Sequence, residues 1–182
     1  MRCFIAIDID DKLKNKILEL QNKIKKLNVD IKMVEPQNLH FTIKFLGEVS
    51  ENEIEYVKKI LKNFIENEYT FSIEIGGIGY FGGSNFIKVI WLGVKKGEDE
   101  LNKIIKFVNE NVKIGKKESM SHLTIGRVKS GKNRDVLLKF IENNKNVKIG
   151  EFFVNEIKIK SSTLTSKGPI YEDIFNIRLK PL

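Results

Sequence analysis

His40-Phe41-Thr42-Ile43 and His122-Leu123-Thr124-Ile125 share one pattern: a histidine, an apolar residue, a threonine and a second apolar residue. They hold both histidines of the 182-residue chain. The first tetrad lies in a longer run where Leu39, Phe41, Ile43 and Phe45 alternate with His40, Thr42 and Lys44. Period-two alternation predicts a strand with one buried and one polar face. That face sets the His40 imidazole and the Thr42 hydroxyl side by side, roughly 6–7 Å apart along the strand. A lone strand histidine is usually structural. Two, both in the same tetrad and at matching positions 82 residues apart, point to function.

The flanking chain reinforces the match. Arg2–Ile7 reads as a buried strand, and Leu13, Ile17, Leu20, Ile24 and Leu27 give an amphipathic helix over about 10–28. A short strand at 31–34 and a turn at Pro36 lead into the His40 strand. Ser50 with Glu53 forms a capping box that opens a second helix, and Phe71–Ile75 is a further strand. The glycines at 76, 77, 79, 82 and 83 do not open onto a helix, as a phosphate-cradling loop requires. They read as a flexible connector. Beyond them come a strand at Phe86–Val94, a helix with Leu101, Ile104, Ile105 and Val108, and the His122 strand. A helix with Val136, Leu137, Phe140 and Ile141 follows, then strands around Phe152–Lys160 and a final strand at Ile170–Leu179.

Phe86 stands 36 residues before His122, as Phe4 does before His40, and Phe153 lies 82 beyond Phe71. The expected architecture is therefore α+β: one two-lobed, internally duplicated domain over 1–182. Antiparallel sheets surround a central cleft, with helices on the outer faces. The halves span about 1–80 and 85–165, and the closing strand about 170–180.

The balance of 32 lysines and arginines against 24 acids gives a formal charge of +8 and favours an anionic partner such as RNA or a phosphate-bearing ligand. Only four of the cations are arginines, and a lysine-rich surface is often simply solvated. Cys3 alone excludes an internal disulfide and suits a reducing cytosol, with a packing role in the first strand. No apolar run reaches membrane-spanning length, and acids at 8 and 10 interrupt any signal peptide. A cytoplasmic protein is expected.

Two imidazoles astride a phosphate supply a general base on one side and a general acid on the other. The threonine hydroxyls can donate hydrogen bonds to its non-bridging oxygens. A catalytic zinc site needs three protein ligands, and neither tetrad has that spacing. No cofactor and no metal are expected. Lys44, on the face of His40 and Thr42, is a candidate contact for substrate, its plainer alternative a solvated strand-end lysine.

These residues resemble the 2H phosphoesterase superfamily, and more closely its LigT-like branch, the RNA 2′,3′-cyclic phosphodiesterases or 2′-5′ RNA ligases. The likeness runs through Arg2–Asp8, Asn38–Val49, Val89–Val94 and His122–Arg127. Ser121 stands where the family often has proline, and Gly126 where alanine is common. The resemblance implies hydrolysis of an RNA-terminal 2′,3′-cyclic phosphate to a 2′-phosphomonoester, with reverse 2′-5′ ligation, tRNA halves among the substrates. It implies His40 as proton donor and His122 as proton acceptor, an order the residues alone leave open. Thr42, Thr124, Arg127, Lys44 and Phe4 are the substrate-binding candidates, and the protein is expected to act as a monomer. By plain alternation Arg127 faces away from His122, so it reaches the cleft only if Gly126 marks a bulge. A non-catalytic RNA-end-binding module, or a phosphodiesterase for small cyclic nucleotides or 2′-5′ oligonucleotides, is the alternative.

Overall fold

The computed structural model describes residues 1–83, 85–117 and 121–182. The alternation and capping signals become nine strands and four helices in the described residues. In chain order these are β1 (Arg2–Asp8), α1 (Asp11–Lys25), β2 (Ile31–Met33), a 3-10 turn (Pro36–Asn38), β3 (His40–Glu48), α2 (Glu51–Ile65) and β4 (Phe71–Gly83). There follow β5 (Phe86–Lys96), α3 (Glu98–Asn111), β6 (Leu123–Val128), α4 (Arg134–Asn143), β7 (Lys148–Val154), β8 (Glu156–Thr165) and β9 (Gly168–Arg178). Asp10 caps α1 through its side chain, and Ser50 and Glu53 complete the expected capping box on α2.

All strand pairs between these elements are antiparallel, in one curled sheet of order β7-β4-β5-β6-β3-β1-β8-β9, with β2 added against β6. The order is symmetric about the β6–β3 seam. β5 flanks β6 as β1 flanks β3, and β4 answers β8. Each tetrad strand thus sits at the centre. The strand that answers β4 is β8, whereas Phe152 and Phe153 belong to β7. Spatially the sequence halves interleave: β4 joins the side of His122, and β8 joins the side of His40.

The core lies between the sheet and the helices, where α3 packs on β3, α1 on β6 and β7, and α2 on β9. Ile17, Ile24, Val57, Leu61, Leu101 and Val108 are all fully buried there, which is the apolar stripe that the helical spacing lays down. The opposite face of the central strands forms the cleft.

The glycine-rich stretch is not a connector. It is the second half of β4, paired with β5 through Gly83. Gly79 shows why glycine is used: a Cβ there would come within 2.4 Å of the Trp91 ring, so the indole lies flat on bare backbone.

Candidate active site

β3 and β6 meet through one pair, Phe41 with Leu123, both of which point into the core. Antiparallel geometry through that pair places His40 on the Thr124 side and Thr42 on the His122 side. His40, Thr42, His122 and Thr124 then line a single cavity of about 340 Å³. His122 itself stands just before β6 rather than within it.

Plain alternation fails immediately after each threonine, and fails in the same way. On β1, Ala6 pairs with Thr42 and its neighbour Ile5 pairs with Lys44, so Ile43 is an extra residue on β3. On β5, Trp91 pairs with Thr124 and Ile90 with Gly126, so Ile125 is extra on β6. A bulge of this kind turns the following side chains to the other face. Arg127, five positions after its histidine, is thereby brought into the cavity, as is Phe45, five after the other. Gly126 lets β2 pass close by, since a Cβ there would meet Ile31 at 2.7 Å.

The same bulge removes Lys44 from the cleft. The expectation that it shares a face with His40 and Thr42 is corrected: Lys44 is 2% exposed, on the helix side of the sheet. Its ammonium donates to the Val112 carbonyl at 2.7 Å, just past α3. That is the negative end of the helix dipole, where a cation is favoured. Burial, with Lys117 and Lys113 nearby, holds its pKa below the ordinary lysine value. Phe4 is buried beside the site, its ring 5.0 Å from that of His40 and 4.8 Å from that of Tyr171. It supports His40 from below.

The two imidazoles sit in different surroundings. His40 Nδ1–H donates to the Asn38 carbonyl at 2.7 Å, leaving Nε2 beside the Thr42 hydroxyl at 3.0 Å. With Nδ1 carrying the proton, Nε2 is the atom that exchanges protons with the cavity. Burial pushes the His40 pKa down, more than the Asn38 carbonyl and Asp8 raise it; Lys160 and Arg127 lower it further. The Tyr171 ring meets His40 edge-on at 5.5 Å. Burial pushes the Tyr171 phenol up, so the hydroxyl stays protonated.

His122 is packed by aromatic rings instead. Trp91 lies 4.0 Å and Phe81 5.0 Å from it, centroid to centroid. Its Nδ1 has no hydrogen-bond partner among the described residues. Burial lowers its pKa as well, against a smaller rise from Glu98.

Beside Asp8, which pairs in register with His40, two acids and two lysines interlock. Lys160 Nζ lies 3.0 Å from Asp8 and 2.9 Å from Asp173, and Lys158 reaches the other oxygens of the same carboxylates at 3.0 and 2.7 Å. Around the cavity mouth stand Lys32, Arg127, Lys129 and Lys167, with Glu35 the one acid among its described lining residues. No group of three or more His, Cys, Asp or Glu among the described residues could hold a metal ion.

Phe45, Tyr171, Trp91 and Asn38 were not singled out by sequence reasoning. Alternation places Phe45 on the buried face, and the bulge moves it. Tyr171 reaches the site from the last strand, where nothing local marks it. Trp91 had one readable signal, a glycine in the partnering strand.

A curled antiparallel sheet presenting two His-x-Thr pairs to one cavity defines a phosphoesterase class, and comparison with known proteins gives the family. A family model, LigT like Phosphoesterase, matches residues 7–91. The RNA 2′,3′-cyclic phosphodiesterase of Methanocaldococcus jannaschii is 43% identical over 178 residues, 96% of this chain and 98% of its own. The protein of that name from Methanothermobacter thermautotrophicus is 37% identical over 182 residues, 98% of this chain and 99% of its own. In fold, the crystal structure of TT0787 from Thermus thermophilus matches with a TM-score of 0.81 at 24% identity, covering 100% of this chain and 99% of that one. The chain belongs to the LigT-like phosphoesterases of the 2H superfamily.

Proposed function

We propose that the protein hydrolyses RNA-terminal 2′,3′-cyclic phosphate to a 2′-phosphomonoester, using two histidines as acid and base and no metal. One observation carries the reading: both His-x-Thr pairs line one cavity with Arg127 beside them. The names of the relatives at 37% and 43% identity support the substrate.

Neutral His122 takes a proton from water as the water oxygen bonds to phosphorus. The bond from phosphorus to O3′ breaks, and His40, protonated at Nε2, gives its proton to the leaving oxygen. The products are a 2′-phosphate and a free 3′-hydroxyl, with His40 neutral and His122 protonated until solvent resets them. Thr42, Thr124 and Arg127 bind the non-bridging oxygens, whose charge grows in the transition state. The same step with a 5′-hydroxyl in place of water, O3′ again leaving, gives a 2′-5′ linkage, and tRNA halves are substrates of that kind. The protein works in the cytoplasm as a monomer.

The test is incubation with an RNA oligomer ending in 2′,3′-cyclic phosphate, with the phosphate position in the product assigned by phosphorus NMR. A 2′-phosphate formed equally with and without EDTA is expected. A 3′-phosphate product, or EDTA inhibition reversed by zinc, contradicts the reading; binding without turnover makes the protein an RNA-end holder.

A further inference from the structure

We infer that Asn38 is a positioning residue for His40: its side chain, tied to the β8–β9 hairpin, holds the backbone carbonyl that receives the imidazole Nδ1–H. Asn38 ends the 3-10 turn and is 9% exposed. Its carbonyl accepts from His40 at 2.7 Å, while its side-chain amide donates to the Pro169 carbonyl at 3.2 Å, 131 residues away in sequence. A three-residue turn offers only short local bonds to hold that carbonyl. Its own bonds run from Asn38 N–H to the Glu35 carbonyl at 2.9 Å and from Leu39 N–H to the Pro36 carbonyl at 3.3 Å. The second fixes one edge of the peptide plane that carries the Asn38 carbonyl, and the side-chain bond to Pro169 ties the same residue to a distant element.

Pro169 lies beside the tip of the β8–β9 hairpin, where the Thr165 hydroxyl donates to the Gly168 carbonyl at 2.6 Å. This hairpin brings Leu164, Lys167 and Tyr171 onto the cavity. One asparagine thus joins two of the supports of His40, the carbonyl at Nδ1 and the strand carrying the Tyr171 ring. His122 has no hydrogen bond at Nδ1 among the described residues and is held by Trp91 and Phe81 instead. The two imidazoles are oriented by different means, and only His40 is linked to the hairpin in this way.

The test uses Asn38→Ala and Asn38→Asp; the second keeps the shape but trades the N–H donor for a carboxylate oxygen and its charge, and the first removes the donor without adding charge. With two histidines in the chain, nitrogen-correlated NMR reads each ring separately, His122→Gln supplying the assignment. In the unsubstituted protein, neutral His40 should be wholly in the Nδ1–H form. In both variants the signals should move to a mixture of tautomers while His122 stays unchanged. The kinetic arm rests on the proposed hydrolysis: kcat should fall about five- to tenfold, the scale of one hydrogen bond, with KM within about twofold. A lowered Tm with the His40 tautomer and kcat unchanged would overturn the inference and leave Asn38 a purely structural clamp. If no cyclic phosphate is turned over at all, the proposed function fails, and the tautomer measurement still decides the role of Asn38.

Discussion

Each imidazole takes its properties from what it touches, and those contacts give the residue-scale expectations. Burial depresses both histidines. The proposed mechanism needs His40 protonated and His122 neutral, so the rate should fall at high pH as the acid is lost and at low pH as the base is protonated. With both pKa values lowered, the bell in kcat/KM should centre below the free imidazole value of about 6.5. Its limbs report the pair rather than either ring. A bell centred well above that value would contradict the assigned surroundings. Thr42→Ala and Thr124→Ala should each cost about 1–3 kcal/mol in kcat/KM for a lost bond to a charged phosphate. Lys44→Met should leave kcat/KM within about twofold of the unsubstituted enzyme, because its ammonium faces α3 and not the cavity. That the two histidines and two threonines of the tetrads share one cavity was legible because their pattern is local and recurs. Lys44 was misplaced because a bulge leaves no mark in the apolar pattern until pairing is known.

At the scale of elements, the two bulges do the same job on pseudo-equivalent strands. Each returns one side chain, Phe45 or Arg127, to the cleft; the residue before it is Lys44, turned towards α3, on one strand and Gly126, packed by β2, on the other. Gly126 was a readable hint on β6; β3 had none, since Ile43-Lys44 looks like uninterrupted alternation. The glycines of β4 misled for a related reason. Their composition resembles a linker, but they lie in a paired strand, and one of them, Gly79, leaves room for the Trp91 ring against which His122 packs. Gly79→Ala should therefore act at a distance. It should destabilise the fold by about 1–3 kcal/mol through overpacking and also lower kcat, as the displaced indole moves His122. Thermal unfolding and kinetics on one preparation check this; unchanged kcat would mean that Trp91 does not seat the histidine. The stripes of all four helices and the capped start of α2 were legible, because caps and 3.6-residue periodicity are carried by neighbours in sequence, while the first helix ends at Lys25, short of the expected 28.

For the whole molecule, the seam between β3 and β6 assembles one site from residues 82 positions apart, and four of the cations line it. Lys32, Lys129, Lys167 and Arg127 surround the cavity mouth. RNA binding should weaken linearly in log–log terms with salt, by a slope of roughly 0.7 per phosphate contacted for a single strand. Lys32→Ala with Lys129→Ala should flatten that slope, and an unchanged slope would return these lysines to the solvated surface. Composition alone could not show which cations line the cavity, since that depends on which strand edges meet. The central claim is that His40 and His122 act as one unit on a phosphate held between them. Steady-state kcat/KM on a 2′,3′-cyclic phosphate RNA end, for His40→Ala, His122→Ala and the double variant, tests it most directly. Each single change should cost roughly 10²–10⁴-fold, and the double should be little worse than the worse single. Losses that multiply in the double variant, or near-full activity in either single one, would contradict it.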